Sequence, residues 1–115
     1  MKRIWRGIGV LAVAALVASS PVTAQSPELG PTLTIQTFQF RPNPIEVQAG
    51  TQVTWINQDD IRHTITSGTP ENRDGRFDAP LAGKGAKFTF TFTQPGTYSY
   101  FCDRHQHMRG QIHVK

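Results

Sequence analysis

Four side chains able to bind a soft metal fall within seven residues: Cys102, His105, His107 and Met108. The chain has one Cys and four His, and the remaining two His stand at 63 and 113. A thiolate, imidazoles and a thioether crowded into one loop are the donors that copper favours. One Cys and two His make a trigonal set, and a Met adds a weak axial contact. That combination suits one-electron chemistry. Hydrolytic zinc sites differ, keeping an open position among His and carboxylate ligands. A single Cys also excludes a disulfide framework, a Cys-rich zinc module and a dinuclear copper site that needs two thiolates.

The elements that must position these donors read as strands. Leu33, Ile35 and Phe38 or Phe40 mark a first strand, broken at Pro42 and Pro44. Ile45 to Val47 is a short second run. Thr51 to Ile56 alternates, with Val53 and Trp55 on the core face. Asn57 to Asp60 is a turn cluster, and His63 to Thr66 is β-prone. Ser67 to Gly85, rich in Gly, Pro, Asn and Asp, reads as a long loop. Lys87 to Thr93 carries Phe88, Phe90 and Phe92 on one face, a core stripe. Gln94-Pro95-Gly96 turns the chain into Thr97 to Phe101, which ends at Cys102, and Gly110 to Lys115 is the last strand. No helical periodicity occurs after residue 24. Short strands at this spacing predict an all-β, antiparallel sandwich or barrel. Closing the site requires the strand end at His63 to lie beside the loop after Cys102.

The N-terminus reads differently. Lys2, Arg3 and Arg6 precede an apolar run from Gly7 to Ala18, then Ser19, Ser20, Pro21 and the small-x-small triplet Val22-Thr23-Ala24. Basic, apolar and small-residue regions in that order form a secretory signal peptide, 1–24, cleaved after Ala24. The run is a dozen residues, short of the ~20 that span a bilayer, so no membrane anchor is expected. Residues 25–31 read as a flexible leader and 32–115 as the folded domain. The whole chain has 12 Lys+Arg against 8 Asp+Glu. Removing Lys2, Arg3 and Arg6 leaves nine against eight, so the basic balance sits in the signal and gives no case for nucleic acid binding. The mature protein is expected in the periplasm or secreted.

Residues 32–115 resemble the cupredoxins, in particular the amicyanin and plastocyanin group. The resemblance rests on the Cys102-x2-His105-x2-Met108 loop followed by Arg109-Gly110. It rests also on Asp59-Asp60-x-x-His63-Thr64, Gly75-x-Phe77-Asp78 and Pro95-Gly96-Thr97-Tyr98-x-Tyr100-Phe101-Cys102. It implies a Greek-key antiparallel β-sandwich and one copper ion held by His63, Cys102, His105 and Met108. His107, adjacent to Met108, would be strained as a joint ligand and is expected on the solvent side. His113 is expected to be an ordinary surface or pocket residue.

The resemblance further implies a non-enzymatic, monomeric carrier of single electrons between a redox protein donor and acceptor. Docking would occur near His105, with Pro80, Leu81 and Met108 as apolar neighbours and Asp103, Arg104, Gln106 and Arg109 as a polar rim. Copper storage, delivery or resistance is the alternative role. The Thr64 N–H is expected to donate to the Cys102 sulfur. Many relatives carry Asn at the position of Thr64 and Pro at that of Arg104, so an additional N–H to sulfur bond from Arg104 is expected.

Overall fold

The computed structural model describes residues 28–115 together with 7, 9 and 12–15. Most of the expected signal peptide, the cleavage point after Ala24 and residues 25–27 of the expected leader lie outside the described residues. Nine strands follow in chain order: β1 (Glu28–Gln36), β2 (Gln39–Arg41), β3 (Ile45–Val47), β4 (Thr51–Asn57), β5 (His63–Thr69), β6 (Asn72–Leu81), β7 (Lys87–Phe92), β8 (Gly96–Phe101) and β9 (Arg109–Val114). They form two sheets, ordered β2-β1-β4-β7 and β3-β9-β8-β5-β6. β4 keeps the two-residue alternation expected of a face packed on a core, with Val53 and Trp55 pointing inward as expected, while in β7 Phe92 is buried and Phe88 and Phe90 are half-buried.

The all-β sandwich expected from the sequence is present, but its pairing is mixed. β1 runs parallel to β4 and β3 parallel to β9; the other pairs are antiparallel. Strands joined by tight turns (β1–β2, β5–β6) must pair antiparallel. The parallel partners are separated by stretches that pass from one sheet to the other, which lets the chain return in the same direction.

Two boundaries differ from the sequence reading. β1 starts at Glu28, inside the stretch expected to be a leader, with Glu28 opposite Thr51 and Leu29 opposite Gln52. The register shifts between Leu29 and Thr32, so Pro31, which lacks an N–H, sits at an irregularity where a proline is tolerated. A Cβ on Gly30 would collide with Thr51 Cγ2 and the Gln52 carbonyl, so the close approach needs glycine. The expected long loop 67–85 is largely a hairpin: β5 continues to Thr69 and β6 spans Asn72–Leu81. β6 is an edge strand with mostly exposed residues, only Phe77 and Leu81 being buried, so it lacks the apolar alternation that marks a strand in sequence.

The core sits between the sheets. Leu33, Ile35, Val53, Trp55 and Phe92 face Ile65, Phe77, Leu81, Tyr98, Tyr100, Ile112 and Val114. Trp55 is fully buried, stacked on Phe88 at 5.7 Å between ring centroids and edge-on to Tyr100 at 5.4 Å. Each such fully buried large apolar side chain contributes about 1.5–3 kcal/mol. This mass holds rigid the ends of β5 and β8, where His63 begins one strand and Cys102 follows the other.

Candidate metal centre

β5 and β8 are neighbours in one sheet, with Thr66 opposite Phe101. That register brings His63 and Cys102 to the same end of the sandwich. The segment from Cys102 to Met108 then forms a closed loop. The Cys102 N–H donates to the Met108 carbonyl (3.0 Å) and the Met108 N–H to the His105 carbonyl (2.9 Å), directly above the β8–β9 pair Phe101–Arg109. His105 is thereby turned back toward the sheet end. Nδ1 of His63 and Nδ1 of His105 each lie 3.7 Å from Cys102 Sγ. One donor atom from each residue falls within 4.8 Å of the others. Cys102 and His63 are buried, and His105 is half-buried.

The sequence-predicted donors divide as follows. His63, Cys102 and His105 converge. Met108 is buried in the same loop, 2% exposed. His107 is exposed, its ring centroid 6.5 Å from that of His105. His113 lies away on β9, its Nδ1 3.2 Å from Thr97 Oγ1. Loss of water, then electrostatic repulsion from the side of His63, His107 and Arg104, lower the His105 pKa from its ordinary 6.5, against an upward pull from Asp59. A neutral imidazole, the form that binds metal, is favoured.

The sulfur receives one backbone hydrogen bond, from the Thr64 N–H at 3.4 Å. The expected second bond, from Arg104, is not formed among the described residues. The loop leaves the strand in another direction because the Asp103 N–H is tied to Thr64 Oγ1 at 2.8 Å. That contact begins a one-way chain. Thr66 Oγ1 donates to the Asp78 carboxylate (2.9 Å), so the Thr64 hydroxyl must donate to Thr66 Oγ1 (2.9 Å). Thr64 thus supports the centre twice, with its amide on the sulfur and its hydroxyl under the loop.

Sequence reasoning missed two contributors. Asp59, read as part of a turn, accepts from the Thr37 N–H (2.8 Å) and the Phe38 N–H (3.1 Å) and lies 2.8 Å from His63 Nε2. Burial raises its pKa, but bonds from Phe38, His63 and Thr37 outweigh this and the net shift is downward, favouring the carboxylate. Asp59 is itself held by the buried Asn57, whose Oδ1 accepts the Asp59 N–H (2.9 Å). The second contributor is Phe38. Its ring meets His63 and His105 edge-on, with centroids at 5.5 and 5.0 Å. Phe38 is 39% exposed, whereas Leu81 is fully buried and Met108 nearly so. Leu81 and Met108 are therefore turned inward, whereas Phe38 touches His105 and reaches the surface, and Pro80, the third expected apolar neighbour, is exposed. Thr37 and Phe38 have φ of 53° and 58° between paired Gln36 and Gln39, the signature of a type I′ turn, which normally uses Asn and Gly. Left-handed backbone costs a residue bearing a side chain roughly 1–2 kcal/mol.

Residues 30–115 match the family described as copper binding proteins, plastocyanin/azurin family. The chain belongs to that family. It is a cupredoxin of the amicyanin and plastocyanin kind, and its cofactor is copper. It is 28% identical over 105 residues to amicyanin-alpha of Methylorubrum extorquens, covering 90% of this chain and 88% of that one. It is 32% identical over 84 residues to plastocyanin of Scenedesmus fuscus, covering 66% and 86%. Among solved structures, a purple cupredoxin from Nitrosopumilus maritimus superposes with a TM-score of 0.68 at 26% identity, covering 75% of this chain and all of that one. The donors of this cupredoxin fit a copper ion, because they are a soft sulfur and two imidazole nitrogens facing one another at a buried sheet end.

Proposed function

We propose that this cupredoxin is an exported blue copper protein that carries single electrons between redox proteins, with its ion held by His63, Cys102, His105 and Met108. The convergence of the His63, Cys102 and His105 donor atoms within 4.8 Å carries the reading. Copper, when bound, supplies a one-electron Cu(I)/Cu(II) couple. Cys102 would bind as a thiolate, a state a coordinating metal enforces, and the Thr64 amide stabilises its negative charge. His63 and His105 would bind through Nδ1. Met108, buried in the ligand loop, would be the weak fourth ligand that tunes potential. The rigid strand ends limit ligand movement between oxidation states.

His105 is the ligand with partial exposure, so partners would dock there, on Phe38 and among the exposed Arg62 and Arg104, which form no ion pair among the described residues. No helix among the described residues is long and apolar enough to cross a membrane. The signal-like N-terminus supports a periplasmic or secreted carrier.

The test is a Cu(II) titration of residues 25–115 followed by optical absorption and EPR. An intense visible thiolate band with narrow hyperfine splitting, both abolished in Cys102→Ser, is expected. A weak ordinary Cu(II) spectrum that survives Cys102→Ser would overturn the reading. Repeated redox cycling with the metal retained distinguishes a relay from a protein that delivers copper to an acceptor.

A further inference from the structure

The turn at Thr37–Phe38 lacks the residues its conformation prefers, and one carboxylate contacts both that turn and the metal centre. From this we infer that Asp59 is a positioning residue that couples the orientation of His63 to the seating of Phe38 over both histidines. The inference rests on the copper reading above for its consequence, but the coupling concerns this chain's own side chains.

The observations are geometric. Asp59 Oδ1 accepts the Thr37 N–H, and Oδ2 lies within hydrogen-bond distance of both the Phe38 N–H and His63 Nε2. A carboxylate only accepts, so Nε2 carries the proton and Nδ1, facing Cys102 Sγ at 3.7 Å, is the free donor. Orientation of a ligand imidazole by its other nitrogen is a general device. Here the same two oxygens also hold consecutive left-handed residues, which otherwise resist that backbone. An asparagine at 59 offers one acceptor oxygen and an NH2 where three donors converge. It must leave at least one of them without its partner. The side chain of Asp59 is 15% exposed and His63 is fully buried, so water cannot readily replace what is lost at the ring. The tip of the β1–β2 hairpin, more than twenty residues away in sequence, thus depends on the same group as the first histidine.

Three measurements test this. In the metal-free protein, NMR should show a slowly exchanging His63 Nε2–H and protected Thr37 and Phe38 amides; rapid exchange at His63 would overturn the assignment without any variant. In Asp59→Asn at least one of the Thr37 amide, the Phe38 amide and the His63 Nε2–H should lose protection, and the Phe38 ring-current shifts on both imidazoles should change together. In the copper-loaded protein, transfer of copper to a chelator should be about 10–100-fold more favourable, the range for losing such a support, and the midpoint potential should rise because a negative charge that favours Cu(II) is gone. Phe38→Gly relieves the turn while leaving Asp59 on His63, so His63 Nε2–H should stay protected and copper affinity should change far less. Asp59→Asn with intact turn protection and copper affinity within twofold of the parent refutes the coupling, as does a larger affinity loss in Phe38→Gly. Failure of the parent protein to take up copper would refute the functional reading instead, and the metal-free spectra would still decide this one.

Discussion

Replacing Thr64 by Val removes the hydroxyl beneath the ligand loop and keeps the amide on the sulfur. Two hydrogen bonds disappear, Asp103 N–H to Oγ1 at 2.8 Å and the Thr64 hydroxyl to Thr66 at 2.9 Å. Thr66 retains its bond to Asp78, so the group left bare is the half-buried Asp103 amide. An unsatisfied buried donor costs about 1–3 kcal/mol. The added methyl returns up to about 0.8 kcal/mol through apolar burial. Taken at the middle of that range, the net loss should be about 1 kcal/mol, which in a domain of this size lowers Tm by roughly 4–8 °C. Urea and thermal denaturation measure the loss, and amide exchange locates it. Asp103 should lose protection in Thr64→Val and keep it in Thr64→Ser, which retains the hydroxyl. If Asp103 stayed protected in Thr64→Val, or the stability changed by less than about 0.5 kcal/mol, a common limit for surface changes, the one-way chain would be wrong.

Gly110→Ala should destabilise by about 1–3 kcal/mol, because its Cβ would enter the ring of the buried Tyr100 and overpacking has that cost; urea denaturation should show most of the loss relieved in a Tyr100→Leu background. Glu71 has its carboxyl pKa lowered from 4.5 by its own backbone N–H and by Arg109. Its stabilising contribution is therefore complete above the ordinary carboxylate range and is lost as pH falls through the lowered folded value, so Glu71→Gln should flatten the acid limb of a stability–pH profile. Exposed Arg62 and Arg104 should make association with an acidic redox partner slow down as ionic strength rises, with a shallower salt dependence in Arg104→Gln; stopped-flow rates indifferent to salt would exclude that docking surface.

The donor cluster could be read from sequence because Cys102 and His105 stand three residues apart and their chemistry is rare. The strands with apolar alternation, β4 and β7, were equally visible. β6 was not, because an edge strand needs few apolar residues and its pairing is carried by backbone. Phe38 was not, because Ile35, Phe38 and Phe40 invite a strand to be drawn straight through a turn with no Gly or Asn. That turn is stabilised by Asp59, a contact across 21 residues of chain that leaves no periodic mark. The parallel pairing of β1 with β4 is hidden for a similar reason: direction depends on where the chain crosses between sheets. Arg104 shows the limit of arguing from one substitution, since an available N–H does not by itself aim at the sulfur.

The loop from Cys102 to Met108 is closed by its own backbone bonds and anchored on a single pair of strand ends, while His63 is the one convergent donor outside it. Lengthening or shortening that segment would therefore alter three of the four proposed ligands at once without disturbing Trp55 or the sheets. In evolutionary terms the centre is a replaceable part. Mutation can search new potentials and new partner surfaces in half a dozen positions while selection on folding acts elsewhere, and descendants of one scaffold can serve unrelated electron routes.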